Sequence, residues 1–185
     1  MRAAQVTAYG DAPQLIEIDP PGDPGPCGES VAGPAEVVEV LVAGINPVDI
    51  AIGSGKFDAG APPLPYVPGM EGIGRMADGE VVWFEGAHFP WGSMAERAVI
   101  TEGSGITLPS GIEPERAIGF GVAGMAAWLS VDWRGQLKDG ETVLILGASG
   151  SVGQVAVQAA RMMGAGRVVG MARSESGREK VLALG

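Results

Sequence analysis

Apolar and polar positions along the chain fall into two regimes. Over roughly the first 110 residues the apolar runs are short and are cut by Gly and Pro. Arg2 to Ala8 and Leu15 to Ile18 read as short strands. Pro20 to Pro26 holds too many prolines for sheet or helix and reads as a loop. Glu36 to Ala43 is rich in Val and is the clearest strand. A short helix is predicted over Val48 to Ile52, and Pro62 to Gly69 reads as irregular. Glu80 to Phe84, Met94 to Ile100 and Ile106 to Leu108 complete a set of short strands between turn signals. That pattern predicts an all-β barrel or sandwich for this part of the chain.

The second regime has longer periods. Glu113 to Gly121 and Met125 to Arg134 read as helices, with Pro114 suited to a first turn. Glu141 to Leu146 is a continuous apolar strand, the pattern of burial on both faces of a parallel sheet. In Ser151 to Met163 the apolar residues Val152, Val155, Ala156, Ala159, Ala160 and Met163 form a helical stripe. Gly164 and Gly166 suit the end of that helix. Arg167 to Met171 is a second apolar strand, and Ser174 to Leu184 opens another helix. Strand, helix, strand, helix is the repeating unit of a doubly wound parallel sheet. The predicted class is therefore α/β with a β-rich N-terminal domain, divided into residues 1–118 and 119–185.

Between the first strand of this unit and its helix stands Gly147-Ala148-Ser149-Gly150-Ser151-Val152-Gly153. Against G-x-G-x-x-G, Gly150 and Gly153 fit the last two glycines and Ala148 takes the first place. Glycines let the backbone approach a diphosphate, and the free N–H groups of the helix start face that anion. Residues Ser149, Gly150, Ser151, Val152 and Gly153 are thus candidate cofactor-binding residues. No Lys-Ser/Thr pair follows, so the loop is not that of a mononucleotide phosphate binder. An NAD site places an acid at the end of the second strand. Here the strand ends Met171-Ala172-Arg173-Ser174, with Arg178 beyond. Arg173, Ser174 and Arg178 point to a 2′-phosphate, hence NADPH. The competing reading of Arg173 is a solvated charge at a strand end.

Charge sharpens this division. The net charge is −10, with 12 basic and 22 acidic side chains. Residues 141–185 carry +2 and residues 1–140 carry −12. An acidic chain is a poor partner for nucleic acid or an anionic membrane. One cysteine, Cys27, excludes a disulfide within the chain, and no apolar run reaches the length of a membrane span. These features predict a cytoplasmic protein.

Six segments carry a family resemblance: Gly44-Ile45-Asn46-Pro47-Val48-Asp49, Pro68 to Gly74, Gly92-Ser93-Met94-Ala95-Glu96, Ala123 to Trp128, Gly140 to Val143, and the glycine loop. In order and spacing they resemble the zinc-independent quinone oxidoreductase branch of the medium-chain dehydrogenase/reductase superfamily. The resemblance implies a GroES-like barrel with the substrate site, followed by a Rossmann domain for NADP. It implies NADPH-dependent reduction of a quinone or α,β-unsaturated carbonyl, a small-molecule electron acceptor, and a homodimer at full length. It also implies that Asn46 lies near nicotinamide and substrate while Asp49 helps hold its loop; alone, Asn46-Pro47 reads as a plain turn.

No metal is expected. The zinc enzymes of the superfamily use Cys, His and Glu near these motifs, but Ala43 to Asp49 has no Cys and Met70 stands before Glu71 where they carry His. Glu71 then reads as a structural acid or a pocket group, and His88 as a surface-loop or core-edge residue. Ala126 stands where relatives often have Thr, and Ala51 and Phe57 where some have Tyr, which makes the implied site more apolar. Trp83, Phe84, Phe89 and Trp91 read as core or as cleft lining. The resemblance implies a subunit longer than this chain, with only two strands of the Rossmann sheet here, so that domain is incomplete. The competing readings are a non-catalytic nucleotide-binding or structural relative, an inactive fragment, and a metal-dependent alcohol dehydrogenase.

Overall fold

A computed structural model describes residues 1–22 and 34–185. Most of the Pro20–Pro26 loop and Cys27 lie outside the described residues. The chain divides into two compact units, Met1–Ile118 and Gly119–Gly185.

The first unit is antiparallel. A hairpin joins β1 (Arg2–Gln5) and β2 (Gln14–Glu17). The main sheet contains β3 (Ala35–Ala43), β4 (Glu71–Arg75), β5 (Val81–Glu85), β6 (Arg97–Thr101) and β7 (Ile106–Thr107) in the order β6-β3-β4-β5-β7. Helix α1 (Pro47–Gly53) leads away from β3, and the short α2 (Pro114–Ala117) closes the unit. The sequence pattern missed β4. Its glycines and leading glutamate resemble a loop, yet it is the central strand. The neighbours require those glycines. A Cβ on Gly72 would stand 2.5 Å from the Phe84 ring, and one on Gly74 would stand 2.3 Å from a Val38 methyl. Phe84 and Val38 fill that space as fully buried core residues. A second cluster gathers Val6, Ile52 and Tyr66, with Phe89 edge-on to Tyr66 at 5.1 Å.

The second unit begins with α3 (Val122–Leu129), which runs into a π turn over Ser130–Arg134. Strands β8 (Thr142–Leu146) and β9 (Arg167–Met171) pair in parallel, joined through α4 (Ser151–Met162) and followed by α5 (Glu175–Ala183). Ile145, Ala148, Ala156, Val157, Ala160 and Val181 form its core. One expectation fails here. Only one face of β8 is covered: Ile145 is buried, but Leu144 and Leu146 are exposed. The predicted stripe of α4 faces the core: Ala156, Ala159 and Ala160 are buried, Val155 and Met163 pack partly buried against the core, and of the six only Val152 is exposed. Gly153 and Val157 are also buried, and Gly153 lies close against the loop backbone. No described helix is long and apolar enough to cross a membrane.

Candidate functional site

In the second unit the turn after β8 depends on Gly147, whose φ of +70° favours glycine. Gly150 N–H donates to Gly147 O at 3.0 Å, and Ala148 N–H donates to Met171 O at 2.9 Å. Gln154 Nε2 donates to Ser149 O at 2.9 Å and ties the loop to the helix. Helix α4 starts with no side-chain cap. The first loop-to-helix bond is Gln154 N–H to Gly150 O, so the N–H groups of Ser151, Val152 and Gly153 find no acceptor among the described residues. Such a helix start is suited to an anion.

Beside this turn lies a groove of about 790 Å³ lined by Gly147, Ser149, Gly150 and the strand end Met171, Ala172, Arg173, Ser174. Four of the predicted residues, Ser149, Gly150, Arg173 and Ser174, thus meet there. Arg173 is exposed and makes no ion pair among the described residues. Ser174 also caps α5, its Oγ accepting from Gly177 N–H at 3.0 Å. Arg178 lies on the exposed side of α5, outside the lining. Ser151 and Val152 occupy the exposed first turn of α4.

Gly153 is buried, and a Cβ there would stand 2.3 Å from Gly147 O and 2.6 Å from Ala148 Cα. It permits close packing of helix on loop, while its N–H is one of the three without an acceptor among the described residues. At Gly150 the same test finds only Gly147 O, at 3.4 Å. The open side of Gly150 therefore faces room for a ligand. Sequence reasoning missed Gly147, although its place directly after an apolar strand was the available signal. It also missed Gly177, where a Cβ would stand 3.1 Å from Ser149 Oγ.

A separate polar cluster occupies the first unit. A shift in register between Val40 and Val42 precedes the end of β3, and Gly44 N–H then donates to Glu71 O at 3.0 Å. Asn46 caps α1, and its backbone N–H donates to Asp49 Oδ2 at 2.7 Å. The other Asp49 oxygen accepts from Met70 N–H at 3.0 Å. Burial pushes the Asp49 carboxyl above its ordinary range, the two N–H groups pull it back, and the Glu71 charge adds to the rise. Asp49 thus accepts from two backbone N–H groups, those of Asn46 and Met70.

Asn46 Nδ2 donates to Glu71 Oε2 at 2.7 Å, and Trp83 Nε1 donates to Glu71 Oε1 at 2.8 Å. Glu71 is buried at 2% exposure. Of the four aromatic residues flagged in the sequence, Phe84 is core, Phe89 packs on Tyr66, Trp91 borders a surface groove, and Trp83 alone joins this cluster. His88 Nε2 pairs with Thr101 Oγ1 at 2.8 Å at the edge of the core. Among the described residues no group of three His, Cys, Asp or Glu stands close enough to hold a metal ion.

No protein-family model matches the chain. Individual proteins do. Quinone oxidoreductase from Lama guanicoe is 32% identical over 196 residues, covering 100% of this chain and 56% of the relative. The Rattus norvegicus quinone oxidoreductase is 30% identical with the same coverage. A solved quinone oxidoreductase from Thermus thermophilus, also studied in complex with NADPH, matches with a TM-score of 0.81 at 32% identity. That match covers 100% of this chain and 58% of the other. This chain is a homologue of the quinone oxidoreductases. It spans about half the length of the curated relatives it matches. The likeness to these quinone oxidoreductases takes in both units, so the groove and the Asn46 cluster each lie within the related stretch.

Proposed function

We propose that the complete protein reduces a quinone or an α,β-unsaturated carbonyl with NADPH, by hydride transfer without a metal. In this reading the first unit is a GroES-like substrate domain and the second is the start of a Rossmann domain for NADP. The observation that carries it is the groove in which an uncapped helix start and Arg173 lie together. The open side of Gly150 fits a diphosphate, and the Arg173 guanidinium, without an ion pair among the described residues, fits a 2′-phosphate. NADPH, when bound, supplies the hydride, and solvent supplies the balancing proton.

The chain's own residues bind and orient. The N–H groups of Ser151, Val152 and Gly153 form the anion end of the site. In the first unit Asn46 offers its carboxamide to the acceptor carbonyl while Asp49 holds the loop. The exposed Ile45 and Ile50 flank Asn46 in sequence and favour an apolar acceptor. The metal-free reading rests on the donor set. The Gly44–Asp49 loop has no Cys, Met70 precedes Glu71, and both Glu71 oxygens already accept from Asn46 and Trp83. The net charge of −10 speaks against nucleic acid or an anionic membrane as partner.

The test is calorimetric titration of the complete protein with NADPH and NADH, joined to the loss of reduced-nicotinamide absorbance with a panel of quinones and enones. Tight NADPH binding and turnover are expected. Binding of neither nucleotide would remove the proposal.

A further inference from the structure

Among the described residues no group of three His, Cys, Asp or Glu gathers at Glu71 to hold a metal ion, and its surroundings give it a different task. Its carboxylate stands between two donors, Asn46 Nδ2 at 2.7 Å and Trp83 Nε1 at 2.8 Å. An indole nitrogen only donates, and a carboxylate only accepts. A carboxamide does both, and its two ends are nearly equal in size. Asn46 therefore has two settings, related by a half turn, that differ in what they offer a substrate. One offers an N–H, the other a carbonyl oxygen. Glu71 accepts only the nitrogen end, and so selects one setting.

The packing keeps the carboxylate in place. Glu71 is 2% exposed, and Gly44 passes so near that a Cβ there would stand 2.6 Å from Oε2. Backbone bonds hold the strands of Glu71 and Trp83 together, with Ile73 opposite Trp83 in the β4–β5 register. The geometry points to Glu71 as the positioning residue that fixes the Asn46 carboxamide with its nitrogen inward, leaving the second Nδ2 hydrogen to the acceptor carbonyl. This rests on the proposed reduction, in which Asn46 meets the substrate.

The pairing makes an unusual prediction for substitution. Glutamine in place of Glu71 has one accepting oxygen for two donors. Trp83 cannot reverse, so it claims that oxygen. The glutamine nitrogen then faces Asn46, and Asn46 turns its carbonyl inward. Glu71→Gln thus inverts the Asn46 amide without changing the volume of the site. Removing the fixed donor as well, in Glu71→Gln/Trp83→Phe, frees the glutamine oxygen to accept from Asn46 again. A second lesion at the same cluster should then restore function.

The experiment uses the complete protein and follows kcat, KM and NADPH affinity, together with the side-chain amide resonances of Asn46 in nitrogen-15-labelled protein. In the wild type one Nδ2 proton should be shifted downfield by its carboxylate acceptor. E71Q should lose that shift and lower kcat about 100-fold, the scale of one transition-state donor. Its NADPH affinity should stay within about 3-fold, since the groove lies in the other unit. W83F should keep the shifted proton, and E71Q/W83F should regain at least about 5-fold over E71Q. Wild-type kcat in E71Q, or a folded double variant no better than E71Q, overturns the inference. If E71Q does not fold, the wild type and W83F decide: an unshifted Asn46 proton in either one overturns it. If the complete protein reduces neither quinones nor enones, the functional reading fails, while the amide resonances still decide whether Glu71 sets Asn46.

Discussion

Two glycines three residues apart in the same loop should fail in opposite ways when each becomes alanine. Alanine is favoured over glycine by at most about 1 kcal/mol in a helix, so Gly153→Ala in the first turn of α4 begins with a small gain. The new Cβ would stand 2.3 Å from Gly147 O, 2.6 Å from Ala148 Cα and 2.9 Å from Ala148 C. All three are backbone atoms, so no rotamer change relieves the contact. Nor is the loop free to retreat, because Ala148 N–H is bonded to Met171 O and Gly147 sits at φ +70°. Overpacking of this kind costs about 1–3 kcal/mol and sometimes more, and contact with fixed backbone belongs at the upper end. The net loss is about 2 kcal/mol, a fall in Tm of about 4–8 °C for a complete domain of about 150–250 residues. At Gly150, the N-cap, a Cβ meets only Gly147 O at 3.4 Å. Gly150→Ala should therefore cost only about 0.5 kcal/mol in capping. Its methyl group stands in the groove, however, and NADPH affinity should fall at least about 10-fold, or about 1.4 kcal/mol. Scanning calorimetry of the complete protein reads the stability, and hydrogen exchange at β8 and β9 amides assigns the transition. Titration calorimetry reads the cofactor. A Gly153→Ala protein that melts like the wild type, or a Gly150→Ala protein that binds NADPH normally, would refute the division of roles.

Three further outcomes are expected. Arg173→Ala should weaken NADPH about 10- to 150-fold, from a charge-assisted contact of about 1.5–3 kcal/mol, and leave NADH nearly unchanged; Ala172→Asp should reverse the preference. The ratio of kcat/KM for the two cofactors checks both. Gly74→Ala should destabilise the first unit by about 1–3 kcal/mol, since its Cβ would stand 2.3 Å from a Val38 methyl and 2.8 Å from Glu39 O, whereas Gly119→Ala meets nothing within 4 Å and should not. Denaturant unfolding of the two variants tests this. Two carboxylates should give opposite pH slopes. Asp49 is held above its ordinary value, chiefly by burial, so its contribution is full below the ordinary carboxylate range and is lost as pH rises through the folded value. Glu96 is held below its ordinary value, chiefly by its hydrogen bond from Arg2, so its contribution is present above that range and is lost as pH falls. Melting temperature against pH for Asp49→Asn and Glu96→Gln, each relative to wild type, should show the two signs; equal slopes would contradict the assignment.

Much of this protein is legible from local rules alone. The Val-rich run before Ala43 can only be a strand, and the apolar run Arg167 to Met171 coincides with β9 residue for residue. The order of strand, glycine turn and helix is short-range chemistry, so the loop and the basic strand end beyond it can be read together. What lies beyond the sequence is each feature whose cause is a residue distant in the chain. Strand β4 goes unpredicted, because only the fold shows Phe84 and Val38 filling the space above Gly72 and Gly74. That Gly153 packs against the backbone of Gly147 and Ala148 is likewise absent from the apolar stripe of α4. Glu71 is 25 residues from Asn46 and 12 from Trp83 in sequence, and the three meet only because β4 pairs with both β3 and β5. Composition and spacing report which groups a chain owns; which donor faces which acceptor is decided by sheet register, and register is a property of the folded chain.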